Sequence, residues 1–212
     1  MGVRERRERE KTATRDLILE AARELFVSEG YDGVSMRKVA EKIEYSPTAI
    51  YVHFADKEQL FRELCHEDFA KLAEVFVKVA EMPDPLERLR AIGGAYIEFG
   101  LRYPNHYRLM FMDVHAPLRN LDERDLEVKE NPEKDAYAFL KQTVVEGLEK
   151  RLFREGVDDA ELISQTLWAA VHGVISLEIA KRNDAWVEWR PMEDRAFLML
   201  DSVLRGMVKG RR

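Results

Sequence analysis

VSMRKVAEKIEYSPTAIYVHFADK, residues 34–57, has room for two short helices joined by a tight turn and for little else. Ser35 can cap the first helix, because a side-chain oxygen takes a backbone N–H that a helix start leaves unpaired. Val39, Ala40 and Ile43 then recur at helical spacing on one face. Ser46 can cap the second helix, and Pro47 suits its first position, where the missing N–H would have had no partner. Ile50 and Phe54, four apart, turn one side of that helix inward and leave Thr48, Tyr51 and His53 for another. A short helix presenting small and hydroxyl-bearing residues outward has the shape that helix-turn-helix proteins insert into the DNA major groove.

With its flanks, LILEAARELFVSEGYDGVSM before it and FADKEQLF after it, this stretch resembles the DNA-binding domain of the TetR family of bacterial transcriptional regulators. Order and spacing match over the N-terminal third of the chain. Two departures stand out. Glu44 occupies a turn position where the family often has Gly, so the turn must either avoid positive φ or tolerate strain. Val52 stands where relatives are frequently polar, which suggests contact with a thymine methyl or no contact at all.

The 212 residues suffice for two modest domains or one elongated helical protein. Ala, Leu, Glu, Arg and Lys dominate, and most of the 7 prolines sit where a helix would start, so an all-α chain is expected. The net charge of −6 gives no hint of nucleic-acid binding, but its distribution does better. Residues 1–57 hold 11 basic and 11 acidic side chains, whereas residues 58–212 hold 23 and 29. Arg4, Arg6, Arg7, Arg9, Lys11 and Arg15 form a basic arm, diluted by Glu5, Glu8 and Glu10, that can track phosphates. The same composition suits a solvated, disordered tail over residues 1–10. The single cysteine, Cys65, excludes an intramolecular disulfide and fits a reducing compartment. No signal peptide is expected, and the uncharged run Leu162–Leu177 reads as too short and too polar to span a bilayer, so a soluble cytoplasmic protein is expected.

The spacing predicts nine helices, and the resemblance implies a DNA-binding domain over residues 1–57 and a helical effector-binding and dimerisation domain over residues 58–212. Helix one spans Thr14 to Glu29, stopped by Gly30, with Leu17, Ala21, Leu25 and Phe26 facing the core. Helix four runs from a cap at Asp56 to Ala80 on a stripe of Phe61, Cys65, Phe69, Leu72, Phe76 and Val79. Asp84-Pro85 opens helix five and Pro104 helix six. Residues 113–131 read as a loop or partly ordered crossover. Asn131-Pro132 opens helix seven, which Gly156 stops; Asp158 caps helix eight, with Glu161 completing the box; Pro191 precedes helix nine.

Trp168 and His172 fall four apart and Gly173 follows, a W-x-x-x-H-G pattern that resembles the TetR subgroup named for its Trp-His-Gly signature. FGLRYPNHYRLMF, residues 99–111, looks like the same subgroup, which leaves residues 113–131 unmatched. The pair Trp168 and His172 can pack where two helices cross, with Gly173 admitting a neighbouring backbone, or can line an effector cavity. The resemblance implies a homodimer that pairs its last two helices, here residues 159–182 and 192–208, through Leu177, Phe197, Leu200, Val203, Leu204 and Met207. It also implies two recognition helices on a near-palindromic double-stranded DNA operator, and repression relieved by a small molecule. Helix four would couple the two domains.

Thr48, Tyr51 and His53 are candidates for base or adjacent phosphate contact, and Ser35, Arg37, Ser46 and Lys57 for phosphates. Tyr96, Phe99, Tyr103, Tyr107, Met110 and Phe111 suit an apolar or aromatic effector, although Met and aromatics also fill ordinary cores. The five histidines, His53, His66, His106, His115 and His172, do not show metal-ligand spacing, and no catalytic elbow, phosphate loop or dinucleotide fingerprint occurs. No enzyme, metal or cofactor is expected. Two other classes stay open: a helical adaptor for a protein partner, and an enzyme with a buried carboxylate–histidine site.

Overall fold

The computed structural model describes residues 2–112 and 121–210, and its regular structure is helical. In chain order the helices are α1 (Val3–Gly33), α2 (Met36–Lys42), α3 (Pro47–Tyr51), α4 (Lys57–Val77), α5 (Pro85–Arg102), α6 (Pro104–Phe111), α7 (Glu123–Val128), α8 (Ala136–Glu149), α9 (Ala160–Lys181) and α10 (Met192–Met207). Two compact units divide them: Met1–Asp68 with Asn105–Leu121, and Phe69–Pro104 with Asp122–Arg212.

The first unit is built around Phe26, which meets Phe61 edge-on at 5.1 Å between ring centroids and stacks on Tyr31 at 5.7 Å. Ile18, Ala22, Val39, Ala40, Ile50, Phe54, Leu60 and Leu64 close the core around them, joined by Leu109. Gly30 breaks α1 with φ 70° and ψ 168°, a conformation glycine reaches without a Cβ penalty, before one further turn ends at Gly33. Two expectations for α1 need correction. It begins at Val3 rather than Thr14, with the Gly2 N–H donating to Glu5 Oε2 at 3.1 Å. Leu17 is exposed, because the inward face runs through Ile18, Leu19, Ala22 and Phe26.

A buried charge cluster joins α1, α4 and α6 within this unit. Arg23 donates to Asp68 Oδ1 at 2.7 Å, and His106 Nδ1 lies 2.7 Å from the same oxygen. Asp68 is 1 % exposed, so the cluster sits in a medium where each charge depends on its partners.

In the second unit α9 contacts α5, α8 and α10. A Cβ on Gly93 of α5 would lie 2.4 Å from Leu200 Cδ2 of α10, so this glycine is what permits the close approach. An isolated antiparallel bridge pairs Phe153 with Val208, and Lys209 N–H donates to the Leu152 carbonyl at 2.9 Å. α9 is 22 residues long with a mean hydropathy of 1.3, enough by length and composition to cross a membrane. Its apolar residues Ile163, Leu167, Val171 and Ile175 are nonetheless buried in the unit.

Helix starts in this unit differ from expectation where several acidic residues compete. Asn131-Pro132 forms a turn, with Asn131 Oδ1 accepting from Glu133 N, and α8 starts at Ala136 because Asp135 accepts from Tyr137 N and Ala138 N. Asp159, not Asp158, caps α9 by accepting from Leu162 N at 3.0 Å. Glu161 completes no box; it accepts from Tyr137 Oη and pairs with Lys141. α8 ends at Glu149, before Gly156. Of the expected crossover, residues 113–120 lie outside the described residues, while Glu123–Val128 forms α7 behind a reciprocal Asp122–Asp125 cap.

Phe61→Ala removes the ring that Phe26 and Tyr31 pack against, and should lower stability by about 3–5 kcal/mol. Urea unfolding followed by circular dichroism checks this; a loss below about 1 kcal/mol would show that the first unit does not depend on the cluster.

Candidate nucleic-acid interface

α3 has only five residues, and its position comes from its ends and one side. Ser46 Oγ accepts from Ala49 N at 3.3 Å, and Pro47 takes the first helical position. Ile50 and Phe54 are buried in the core. The turn that delivers the chain into α3 passes through Glu44 at φ 58°, so the strained alternative is the one adopted. A non-glycine residue in this region costs on the order of 1 kcal/mol, and the packing of Ile43 and Ile50 on the core on either side of it holds it in place.

What remains outward is Thr48, Tyr51 and Val52, with Tyr51 54 % and Val52 70 % exposed. Tyr45 is a large exposed side chain at the entry to α3 that the spacing argument left in the turn. His53 is half-buried, and burial followed by the charges of Lys11 and Arg15 holds its imidazole below the usual range, so it is neutral at neutral pH.

The candidates for phosphate contact have local partners. Ser35 Oγ accepts from Lys38 N at 3.2 Å as the α2 cap. Arg37 is exposed and pairs with Glu41 at 2.8 Å. Lys57 Nζ donates to the Tyr31 carbonyl at 2.9 Å and lies 4.2 Å from the Tyr31 ring centroid. That carbonyl sits beside the Gly30 break, so Lys57 at the start of α4 has a structural partner in addition to any ligand.

The aromatic candidates divide between the units. Tyr107, Met110 and Phe111 belong to the first, where Tyr107 and Phe111 rings lie 5.0 Å apart. Tyr96, Phe99, Tyr103, Trp168 and His172 belong to the second. There Trp168 Nε1 donates to Tyr96 Oη at 3.0 Å, and Trp168 contacts Tyr137 and His172 with centroids 5.9 and 6.5 Å away. Phe99 and Tyr103 pair at 5.5 Å, and Lys71 Nζ lies 4.6 Å from the Tyr103 centroid. Tyr137, absent from the sequence candidates, is fixed by Glu161 at 2.5 Å. Burial, then Glu161, pushes the Tyr137 phenol up to about 12, while hydrogen bonds from Tyr137, Lys141 and Gln165 bring Glu161 down to about 2.

The dimer candidates are mixed in placement. Leu177 and Phe197 are exposed, the latter at 72 %. Leu200, Val203 and Met207 are partly covered, and Leu204 is buried inside the unit. Leu198, exposed beside Phe197, was not among the sequence candidates. On α9, Leu162, Thr166, Ala169, Gly173, Leu177 and Ala180 share an arc of about 80°. Leu162, Thr166, Ala169 and Leu177 are exposed, and a Cβ on Gly173 would meet no atom within 4 Å.

The sequence model described as bacterial regulatory proteins of the tetR family matches residues 18–64, and that of the tetracyclin repressor-like C-terminal domain matches residues 89–203. The chain is 46% identical to the HTH-type transcriptional repressor AcnR of Corynebacterium diphtheriae over 66 residues, 31% of this chain and 35% of that protein. It thus spans about a third of the length of the first curated relatives it matches. It is 25% identical over 146 residues to the repressor NicS of Pseudomonas putida, 68% of each chain. Its fold is similar to the TetR family regulator PfmR from Thermus thermophilus, with a TM-score of 0.70 at 25% identity over 92% of this chain and 98% of that one.

Burial alone holds the His172 imidazole below its ordinary value of 6.5. The unfolded chain therefore takes up this proton before the folded one, and its contribution to stability is lost as pH falls through 6.5 towards the lower folded value. An NMR titration of the ring should give a midpoint below 6.5; one at 6.5 would mean the ring is solvated, and one above it that an acidic partner outweighs burial.

Proposed function

The chain belongs to the TetR family of bacterial regulatory proteins, and we propose that it is a cytoplasmic transcriptional repressor that binds a near-palindromic operator as a homodimer and is released by a small apolar or aromatic molecule. DNA binding falls to residues 1–57, and effector binding and dimerisation to residues 58–212. The reading is carried by one observation: α3 is pinned on its inner side by Ile50 and Phe54 while Tyr51 and Val52 stand free on its outer side. Thr48, Tyr51 and His53 are its base or adjacent phosphate contacts, with Tyr45 and Val52 beside them. Ser35, Arg37, Ser46 and Lys57 address phosphates.

A single five-residue helix reads too few base pairs to select a site, so two copies are needed, about 34 Å apart on successive major grooves. The uncovered faces of α9 and α10 supply the pairing surface. Ala169 and Gly173 are small enough for two copies of α9 to approach closely, and Leu162, Leu177, Phe197 and Leu198 add apolar area around them. The Trp168, His172 and Gly173 pattern supports membership of the subgroup named for that signature. In the second unit Tyr103, Trp168 and His172 are at least partly exposed and open to an effector, whereas Tyr96 and Phe99 are buried. α4, whose residues belong to both units, is the continuous link along which occupancy could change operator affinity. A ligand does so only if it binds the two states of the protein unequally.

Selection from random DNA should return a two-fold symmetric site. Tyr51→Ala should weaken binding to that site by about 1–3 kcal/mol while leaving non-specific binding intact. Phe197→Glu combined with Leu198→Glu should give monomers by sedimentation velocity and abolish specific binding. An unchanged operator affinity in the Tyr51 variant would remove that residue from the contact, and a selection that returns no preferred site would favour a protein adaptor instead.

A further inference from the structure

From Arg4 to Ala13 the side chains of α1 are exposed, so this stretch buries nothing and is helical without a core to hold it. A helix of that length is marginal in water, and one that is polar all round is held by its own charge pairs or covered by something else. Its supports are local. Glu5 Oε2 accepts from Gly2 N, Arg6 pairs with Glu10 at 3.0 Å, and Arg15 anchors the base of the helix to Glu63 and Glu67 of α4.

These pairings leave a pattern. At about 100° per residue, Arg4, Arg7, Lys11 and Arg15 fall within an arc of about 80°, bordered by Glu8. Arg6 and Arg9 lie outside the arc; Arg6 is paired, and Arg9 Nε donates to the Glu5 carbonyl. Arg4, Arg7 and Lys11 make no ion pair among the described residues. The arc ends beside the α3–α4 corner, where the Arg15 guanidinium lies 5.6 Å from the Phe54 ring centroid. Lys11 and Arg15 both act on His53, two residues beyond Tyr51.

We propose that this free-standing part of α1 is a preformed cationic rail that extends the operator contact outward from α3 along the phosphates flanking each half-site. The inference rests on the DNA-binding reading above and deepens it. Three unpaired cations over about 10 Å of helix suit a polyanion that carries one charge per about 1.7 Å of duplex axis. Because the rail is already helical, binding orders little further chain, which a disordered basic tail could not avoid.

The test compares the wild type, the variant Arg4→Ala/Arg7→Ala/Lys11→Ala and the off-arc variant Arg6→Ala/Arg9→Ala. Each is titrated with salt on the selected operator, either trimmed to its half-sites or carrying about 10 further base pairs on each side, roughly one helical turn. At about 0.9 per phosphate neutralised, the on-arc variant should make the plot of log K against log salt shallower by about 5 for a dimer on the flanked duplex. On trimmed DNA it should approach the wild type, and the off-arc variant should keep the wild-type slope on both. Equal losses per charge removed in the two variants would mean a flexible arm that counts charge alone, and no loss in either would mean no contact; both overturn the rail. A wild type that prefers no sequence at all sinks the DNA-binding reading and the rail with it.

Discussion

Five residues do not make a stable helix in water, because the first hydrogen-bonded turn costs more order than it returns. α3 therefore exists only as far as its surroundings impose it. Ile50 and Phe54, 0 % and 1 % exposed, are the two side chains that impose it, and the Ser46 cap and Pro47 set where it starts. Each outward position follows from that burial: with Ile50 fixed inward, the helical period sends Thr48 and Tyr51 to other directions. Rigidity on one side is what makes the other side a defined surface. The left-handed Glu44 is the local cost of bringing the chain into this arrangement, held by the same core.

The Arg23–Asp68–His106 cluster applies the same logic to charge. Arg23 Nε and Asp68 Oδ2 are buried without a hydrogen-bond partner among the described residues. A hydrophobic trio of similar volume would avoid that desolvation. What the cluster provides is definition: Asp68 Oδ1 receives Arg23 from α1 and His106 from α6, so those helices meet α4 in one register. Removing any member leaves a buried charge short of a partner, which makes displaced arrangements costly. His106 and the rest of α6 that follows it, distant in sequence from α1, are thereby tied into the first unit.

Local chemistry was legible in the sequence wherever one residue had one role available. Ser35, Ser46, Asp56 and Asp84 all accept the N–H that their position predicted. Where candidates competed, the outcome turned on distant partners. Asp159 caps α9 while Glu161 is drawn to Tyr137 and Lys141 of α8, and no spacing rule within residues 158–161 contains that information. The same applies to the Arg15 anchor on Glu63 and Glu67, the Asp68 cluster and the Tyr137–Trp168 contact, all between residues far apart in the chain. Leu17 shares helical spacing with Ala21 and Leu25 yet is exposed, because the buried face of α1 is centred on Ile18, Ala22 and Phe26. The candidate DNA surface was readable as what the local pattern leaves over; Tyr45 escaped because it lies in the turn, outside both helices that the pattern describes.

α9 brings the two kinds of information together. The uncharged run Leu162–Leu177 implies burial on several sides, yet the second unit covers only one of them, through Ile163, Leu167, Val171 and Ile175. Among the described residues, the opposite arc is neither charged enough for a solvated face nor filled by other side chains, and Gly173 leaves open space where a side chain would stand. A membrane would accept the apolar residues, but that arc also carries Thr166, and Gln165 stands beside it, both exposed. A two-fold partner meets both requirements, since small residues let backbones approach and the hydroxyl already bonds back to the Leu162 carbonyl at 2.7 Å. The arc that the fold leaves uncovered is thus the one by which two α3 helices could be held at a fixed separation.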